Sequence, residues 1–290
     1  MIYFKQIQLI GSVFLLWITT QANAAFENLI GLSLILSLGI LHGSNDLKLI
    51  TNKSKQYFNY LHLLIYYVIG IMITFVMSLK FPVVCVLLFI VISSYHFGEQ
   101  HFANKIKNNF KGKWLFYCSY GLLIFSSIFI AHKDAVIGIF TGAIGDFYWD
   151  QMITSLFFIS LAVSILFFFT LRHKEFLRIN IIIEMFTLLV LIVIFYNATL
   201  ILSFTIYFVV WHAIPAIKDQ LILLHHNITK KSILLYLKSS LPFWLISFAG
   251  GIGVLYFNRI ILNENPLLFL ALIFSFTLPH IIIIGLISKK

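Results

Sequence analysis

A chain of 290 residues with 61% hydrophobic and only 10% charged side chains cannot coat a water-soluble globule, for which about 25% charged residues is usual. The formal charge of +10 would suit a nucleic-acid partner, but the lysines and arginines stand in short loops between apolar runs. That distribution belongs to a membrane protein and excludes nucleic acid as a partner.

Ten apolar segments are predicted, at 6–22, 28–50, 60–79, 82–102, 114–131, 152–171, 179–197, 199–217, 233–257 and 266–287. Hydrocarbon about 30 Å thick is crossed at about 1.5 Å per helical residue, so segments of this length read as spans. The fold class is therefore all-α, a polytopic transmembrane bundle of about 9–10 helices. In the first segment Lys5 precedes an apolar run that ends in Gln21-Ala22-Asn23-Ala24. Residues 1–24 thus read equally as a signal peptide with a small-residue cleavage site and as a first transmembrane helix. Residues 25–290 read as a single multi-helix membrane domain without repeats. The stretch 132–151, with Gly142 and Gly145, is taken as the longest polar connection. Cys85 and Cys118 both fall inside apolar runs and read as small packed hydrophobes.

Basic residues follow every second segment. Lys53 and Lys55 come after the second, Lys105, Lys107, Lys111 and Lys113 after the fourth, and Arg172, Lys174 and Arg178 after the sixth. Lys218, Lys230 and Lys231 follow the eighth, and Lys289 and Lys290 the tenth. The alternate connections hold little positive charge: Glu27, Lys80, Lys133 among three aspartates, and Arg259 against Glu264. The positive-inside rule then sends even-numbered segments inward and leaves the C-terminus cytoplasmic, in a cell (inner) membrane.

Of ten histidines, His62, His132, His173, His225 and His226 fall in or beside loops. His42, His96, His212 and His280 instead occupy four different even-numbered segments, each about 13–14 residues from the outer end, or roughly 20 Å deep. His101 lies nearer the cytoplasmic interface. Polar rings in hydrocarbon are costly and mark functional paths. Several neutral imidazoles at one depth in a bundle form a natural site for iron, copper, zinc or nickel. Asp46 follows His42 by four residues and Glu99 follows His96 by three, so both acids share helix faces with those histidines. Either acid could orient a ligating ring through its second nitrogen.

The set Leu41-His42-Gly43-Ser44-Asn45-Asp46, Tyr95-His96-Phe97-Gly98, Trp211-His212 and Pro279-His280, in this order on a multi-helix chain, resembles the Brp/Blh family. These are integral-membrane β-carotene 15,15′-dioxygenases found with microbial rhodopsins, and the resemblance runs from about residue 28 to the C-terminus. It implies an Fe(2+) enzyme that splits the central double bond of β-carotene with O2 into two retinal molecules, which a microbial rhodopsin could receive. It also implies His42, His96 and His212 as iron ligands, with His280 joining them. One departure is Ala216, where many members of the family carry a second histidine four residues after the one matching His212. Either His280 completes the site, or the coordination is reduced.

Two other classes fit the residues. A haem electron-transfer protein would use paired histidines as axial ligands, but two-haem bundles stack such pairs at two depths. A proton or metal transporter could use the histidines with Asp46 and Glu99 as a relay, yet no inverted repeat is visible. A retinal-binding rhodopsin fits poorly, because no lysine lies deep in a late segment to form the Schiff base.

Overall fold

The computed structural model describes residues 2–21, 23–54, 59–107, 110–173, 176, 179–257 and 266–288. Among these the fold is entirely helical. Among the described residues, six helices are long and apolar enough to cross a membrane: Tyr60–Lys80, Pro82–Phe102, Lys113–Ala131, Trp149–His173, Leu200–His225 and Lys230–Gly253. Shorter apolar helices cover Phe4–Ile18, Ala24–Gly39, Ile181–Asn197 and Ile273–Ile287. The protein is a multi-pass helical membrane bundle, and these helices fall on the ten segments read from the sequence. Of the topogenic residues, Lys55, Lys174, Arg178, Arg259, Glu264, Lys289 and Lys290 lie outside the described residues.

In chain order the α-helices are α1 (Ile2–Thr20), α2 (Ala24–Leu34), α3 (Asp46–Ser54), α4 (Tyr60–Lys80), α5 (Pro82–Phe102), α6 (Lys113–Ala131) and α7 (Lys133–Ile144). They continue as α8 (Trp149–His173), α9 (Ile181–Asn197), α10 (Leu200–Thr205), α11 (Ile214–His225), α12 (Lys230–Phe257) and α13 (Pro266–Ser288). Two π-helical stretches, Ile35–Gly39 and Ile206–Ala213, interrupt the α register. Asn59, Asn180 and Thr199 cap α4, α9 and α10 by accepting hydrogen bonds from backbone N–H groups of their first turns, the role short polar side chains fill at helix starts.

Two expectations change. The segment 28–50 is not one helix: residues 42–45 form a turn between the first π-helical stretch and α3. Gly43, Ser44 and Asn45 are turn formers, and they override the apolar run around them. The stretch 132–151 is not a loop throughout, because Lys133–Ile144 forms α7. Its Ala-Val-Ile-Gly-Ile-Phe core is apolar but too short to register as a span.

Contacts gather into two units. The first comprises Met1–Ser33 and Ile90–His212, with α6 against α7, α8, α9 and α10, and α1 against α9. Small residues bring backbones close. A methyl on Gly98 would collide with the Tyr117 carbonyl, and one on Gly121 with that of Ser94. Ser126 and Ser160 hydroxyls bond at 2.9 Å between α6 and α8, a use of small polar residues common where lipid supplies no hydrophobic drive. Around them Phe102, Phe116, Tyr120 and Phe168 interlock edge-to-face or tilted, which adds to the burial of their area.

The second unit comprises Leu34–Phe89 and Ala213–Lys290. Here α13 packs on α4 and α3, α11 on α3 and α12, and α12 on the π-helical stretch Ile35–Gly39. Leu47, Leu49, Ile50, Ile283 and Ile287 form its buried cluster. Pro279, inside α13, rests its ring against Gly70 of α4, where an added methyl would come within 3.4 Å of it. The other face of α4 presents Tyr66, Met72 and Ile73, all largely exposed, as suits a surface in contact with acyl chains.

Candidate metal centre

Each unit carries one pair of buried histidines. In the second unit, the ring centroids of His42 and His280 are 4.6 Å apart, edge to face. His42 stands in the turn that ends the π-helical stretch. Its Nδ1 is hydrogen-bonded to the Gly39 carbonyl. A carbonyl can only accept, so Nδ1 carries the proton and the ring's lone pair is on Nε2. His280 follows Pro279, whose missing N–H withholds the usual helical bond from the Ser275 carbonyl. The His280 Nδ1 lies 2.9 and 2.8 Å from the two oxygens of Asp46, and Tyr67 donates its hydroxyl to the same carboxylate at 3.0 Å. Both rings are thus held through Nδ1 and would present Nε2 to a metal, the arrangement typical of ligating histidines.

The turn itself is fastened from α11 and α12. Gln220 donates to the His42 carbonyl at 2.8 Å and accepts from the Tyr236 hydroxyl at 2.7 Å. Asn45 donates to Ser240 at 2.5 Å and accepts from Ser239 at 2.8 Å, while Trp244 donates to the Ser37 carbonyl at 2.9 Å. Gly43 faces the His280 ring, with room for a methyl at 3.6 Å from its Nδ1 and for little more.

In the first unit His96, on α5, and His212, in the π-helical stretch Ile206–Ala213, have centroids 4.8 Å apart at 71°. Phe97 and Phe208 pack on the His212 ring. All four histidines are buried. Among the described residues, three of them, His42, His212 and His280, each offer a ring nitrogen that could hold a metal ion.

The two acids fall differently from their sequence positions. Asp46 opens α3 beyond the turn and serves His280, a residue of α13, so the helical four-residue relation to His42 is broken. Glu99 accepts from the Tyr95 hydroxyl at 2.9 Å. Tyr67, Gln220 and Asn45 were not singled out by the sequence. Their role comes from pairings over 21, 178 and 195 residues of chain, which no local pattern encodes.

A profile of the family described as Beta-carotene 15,15'-dioxygenase matches residues 33–288. The chain belongs to this family. No curated protein and no solved structure matches it. The matched stretch of this Beta-carotene 15,15'-dioxygenase family member takes in all four buried histidines, and α1 precedes it.

The family member also buries an ionic cluster in its first unit. Glu184 of α9 is 2.7 Å from Lys5, 3.1 Å from His101 and 3.4 Å from Lys105. The His101 ring stacks on Tyr120, so its contacts are with Glu184 and an aromatic face. Lys105 lies past the end of its span, and burial pulls its ammonium below the ordinary value while Glu184 pulls back. Of the loop histidines, His132 donates to or accepts from the Ser203 hydroxyl at 3.0 Å, and burial lowers its pKa from the ordinary value. His62 and His173 are exposed.

Proposed function

We propose that this protein cleaves β-carotene at its central double bond, using O2 and an Fe(2+) ion held by His42, His96, His212 and His280. The carbon–carbon double bond breaks, and one oxygen atom of O2 ends on each of the two retinal aldehydes. The observation that carries the reading is the buried His42–His280 pair, with both rings oriented through Nδ1 and one of them backed by Asp46. Family membership supports the substrate. The donor set suits iron: neutral imidazoles leave a ferrous ion able to react with O2, provided a coordination position remains open.

The protein's own residues would do the rest. Asp46 fixes the ring plane and tautomer of His280, and Tyr67 keeps Asp46 from turning away. The substrate is a polyene that is already dissolved in lipid and would reach the ligands from the bilayer. Centring that polyene is a matter of positioning its middle beside the ligands. The alternation of basic loops supports an inner-membrane location with a cytoplasmic C-terminus. Retinal, equally lipophilic, would leave through the bilayer toward an acceptor such as a microbial rhodopsin.

Expression in a host that accumulates β-carotene tests the reading. Orange colour should fall, and extracts should contain retinal as the main cleavage product. Unchanged pigment with the protein present in the membrane would overturn it, as would longer apocarotenals in place of retinal.

Asp46 gives a graded test. Asp46→Asn keeps one acceptor oxygen but loses the charge, so iron affinity or retinal yield should drop about 10–100-fold. Iron content by elemental analysis and retinal by chromatography measure it. A loss as complete as that of a histidine variant would make Asp46 a direct ligand.

A further inference from the structure

We propose that α1 is a retained working part of the site, with Gln8 and Ser12 as positioning residues for the π-helical stretch that carries His212. The inference rests on the reading of His212 as a ligand and extends it to a helix outside the family match.

In a π-helical run each carbonyl faces the N–H five residues further on. Five residues beyond Val210 is Pro215, which has no N–H. The register that turns His212 therefore offers the Val210 carbonyl no N–H at the fifth residue on, inside a bundle where an unmet carbonyl is costly. Gln8 supplies the donor: its Nε2 lies 2.7 Å from the Val210 oxygen. One turn on, Ser12 accepts the indole N–H of Trp211 at 2.9 Å and donates to the Gln8 carbonyl at 2.8 Å. Gln8 and Ser12 are both buried. The residues before His212 are thus gripped twice from α1, once by the main chain and once by a side chain. The Lys5–Glu184 contact ties the same helix to α9. A polar face at positions 5, 8 and 12 of α1, each meeting a specific partner, is what a structural helix needs and a discarded leader does not.

The test uses the full chain purified in detergent micelles. Intact mass should include residues 1–24, and a mature chain starting after Ala24 would overturn the proposal outright. Gln8→Ala should raise amide hydrogen exchange in 206–214 about fivefold to tenfold, the loss of one buried hydrogen bond. Peptides from α6 and α8 should not change. Pro215→Ala restores an N–H at position 215, so the Gln8→Ala/Pro215→Ala double variant should exchange more slowly than Gln8→Ala alone. Ser12→Ala, a milder change, should shift the emission of Trp211 without loss of fold. Iron retained per chain should fall in Gln8→Ala and recover in the double variant. Unchanged exchange in Gln8→Ala, or no recovery on adding Pro215→Ala, would overturn the proposal. If the unaltered chain neither holds iron nor yields retinal, the functional reading fails, while the exchange measurements still decide whether α1 holds this stretch.

Discussion

Replacing His280 by alanine is expected to remove retinal formation and bound iron together, by at least a hundredfold, while leaving the protein in the membrane. The substitution strips one of two rings from a pair 4.6 Å apart and leaves the Asp46 carboxylate facing the vacated ring position. It alters little of the apolar area that holds α13 to α4 and α3. His42→Ala, His96→Ala and His212→Ala should behave alike, whereas the exposed His62 and His173 should tolerate alanine with near-normal yield. Ala216, one helical turn past His212, sharpens the comparison. If His280 stands in for a histidine at 216, adding Ala216→His to His280→Ala should return part of the iron. If three histidines suffice, His280→Ala alone should keep most of the metal and much of the product. Iron content and retinal yield of these two variants separate the cases, and the Asp46 contact favours the first.

Glu184→Ala should be the most damaging single change to stability, lowering it by about 3–5 kcal/mol. The carboxylate meets Lys5, His101 and Lys105 within 3.4 Å, and its removal would leave two ammonium groups largely buried without an anion. Glu184→Gln should cost less, since its amide oxygen can still accept from one partner. Thermal unfolding in micelles, with solubility after extraction as a second reading, measures both. A melting temperature for Glu184→Ala equal to that of the unaltered chain would show that the lysines reach water instead.

Much of the bundle was legible because a membrane helix is encoded by length and composition, and both survive without any knowledge of partners. The ten segments map onto six long and four shorter apolar helices for that reason. What escaped was written at another scale. The turn at 42–45 was spelled out by Gly43-Ser44-Asn45 but lost inside an apolar window. The helix α7 was too short for that window and was read as a loop because of Gly142 and Gly145. Nothing local announces a π-helical register, although Pro215 stands three residues after His212. The four histidines were singled out from depth and order along the chain, and all four are buried. Asp46 was placed on a helix face with His42, but in the structure its carboxylate meets His280, 234 residues away. Glu184 had a signal that was passed over, a lone acid in an otherwise apolar run.

The interrupted segment around His42 also constrains how the protein can be made. The His42 carbonyl accepts from Gln220, 178 residues later in the chain, and the Ser37 carbonyl accepts from Trp244, 207 residues later, besides the Ile40 N–H. A ribosome delivers the segment to the bilayer long before those side chains exist. The contacts that fasten the turn at 42–45 therefore form only once α11 and α12 have been made. The fastening of the His42 turn is in this sense a late event of synthesis. Chains arrested before α11 should be inserted yet unable to hold the turn, open to proteases at residues 42–45 that spare the finished protein.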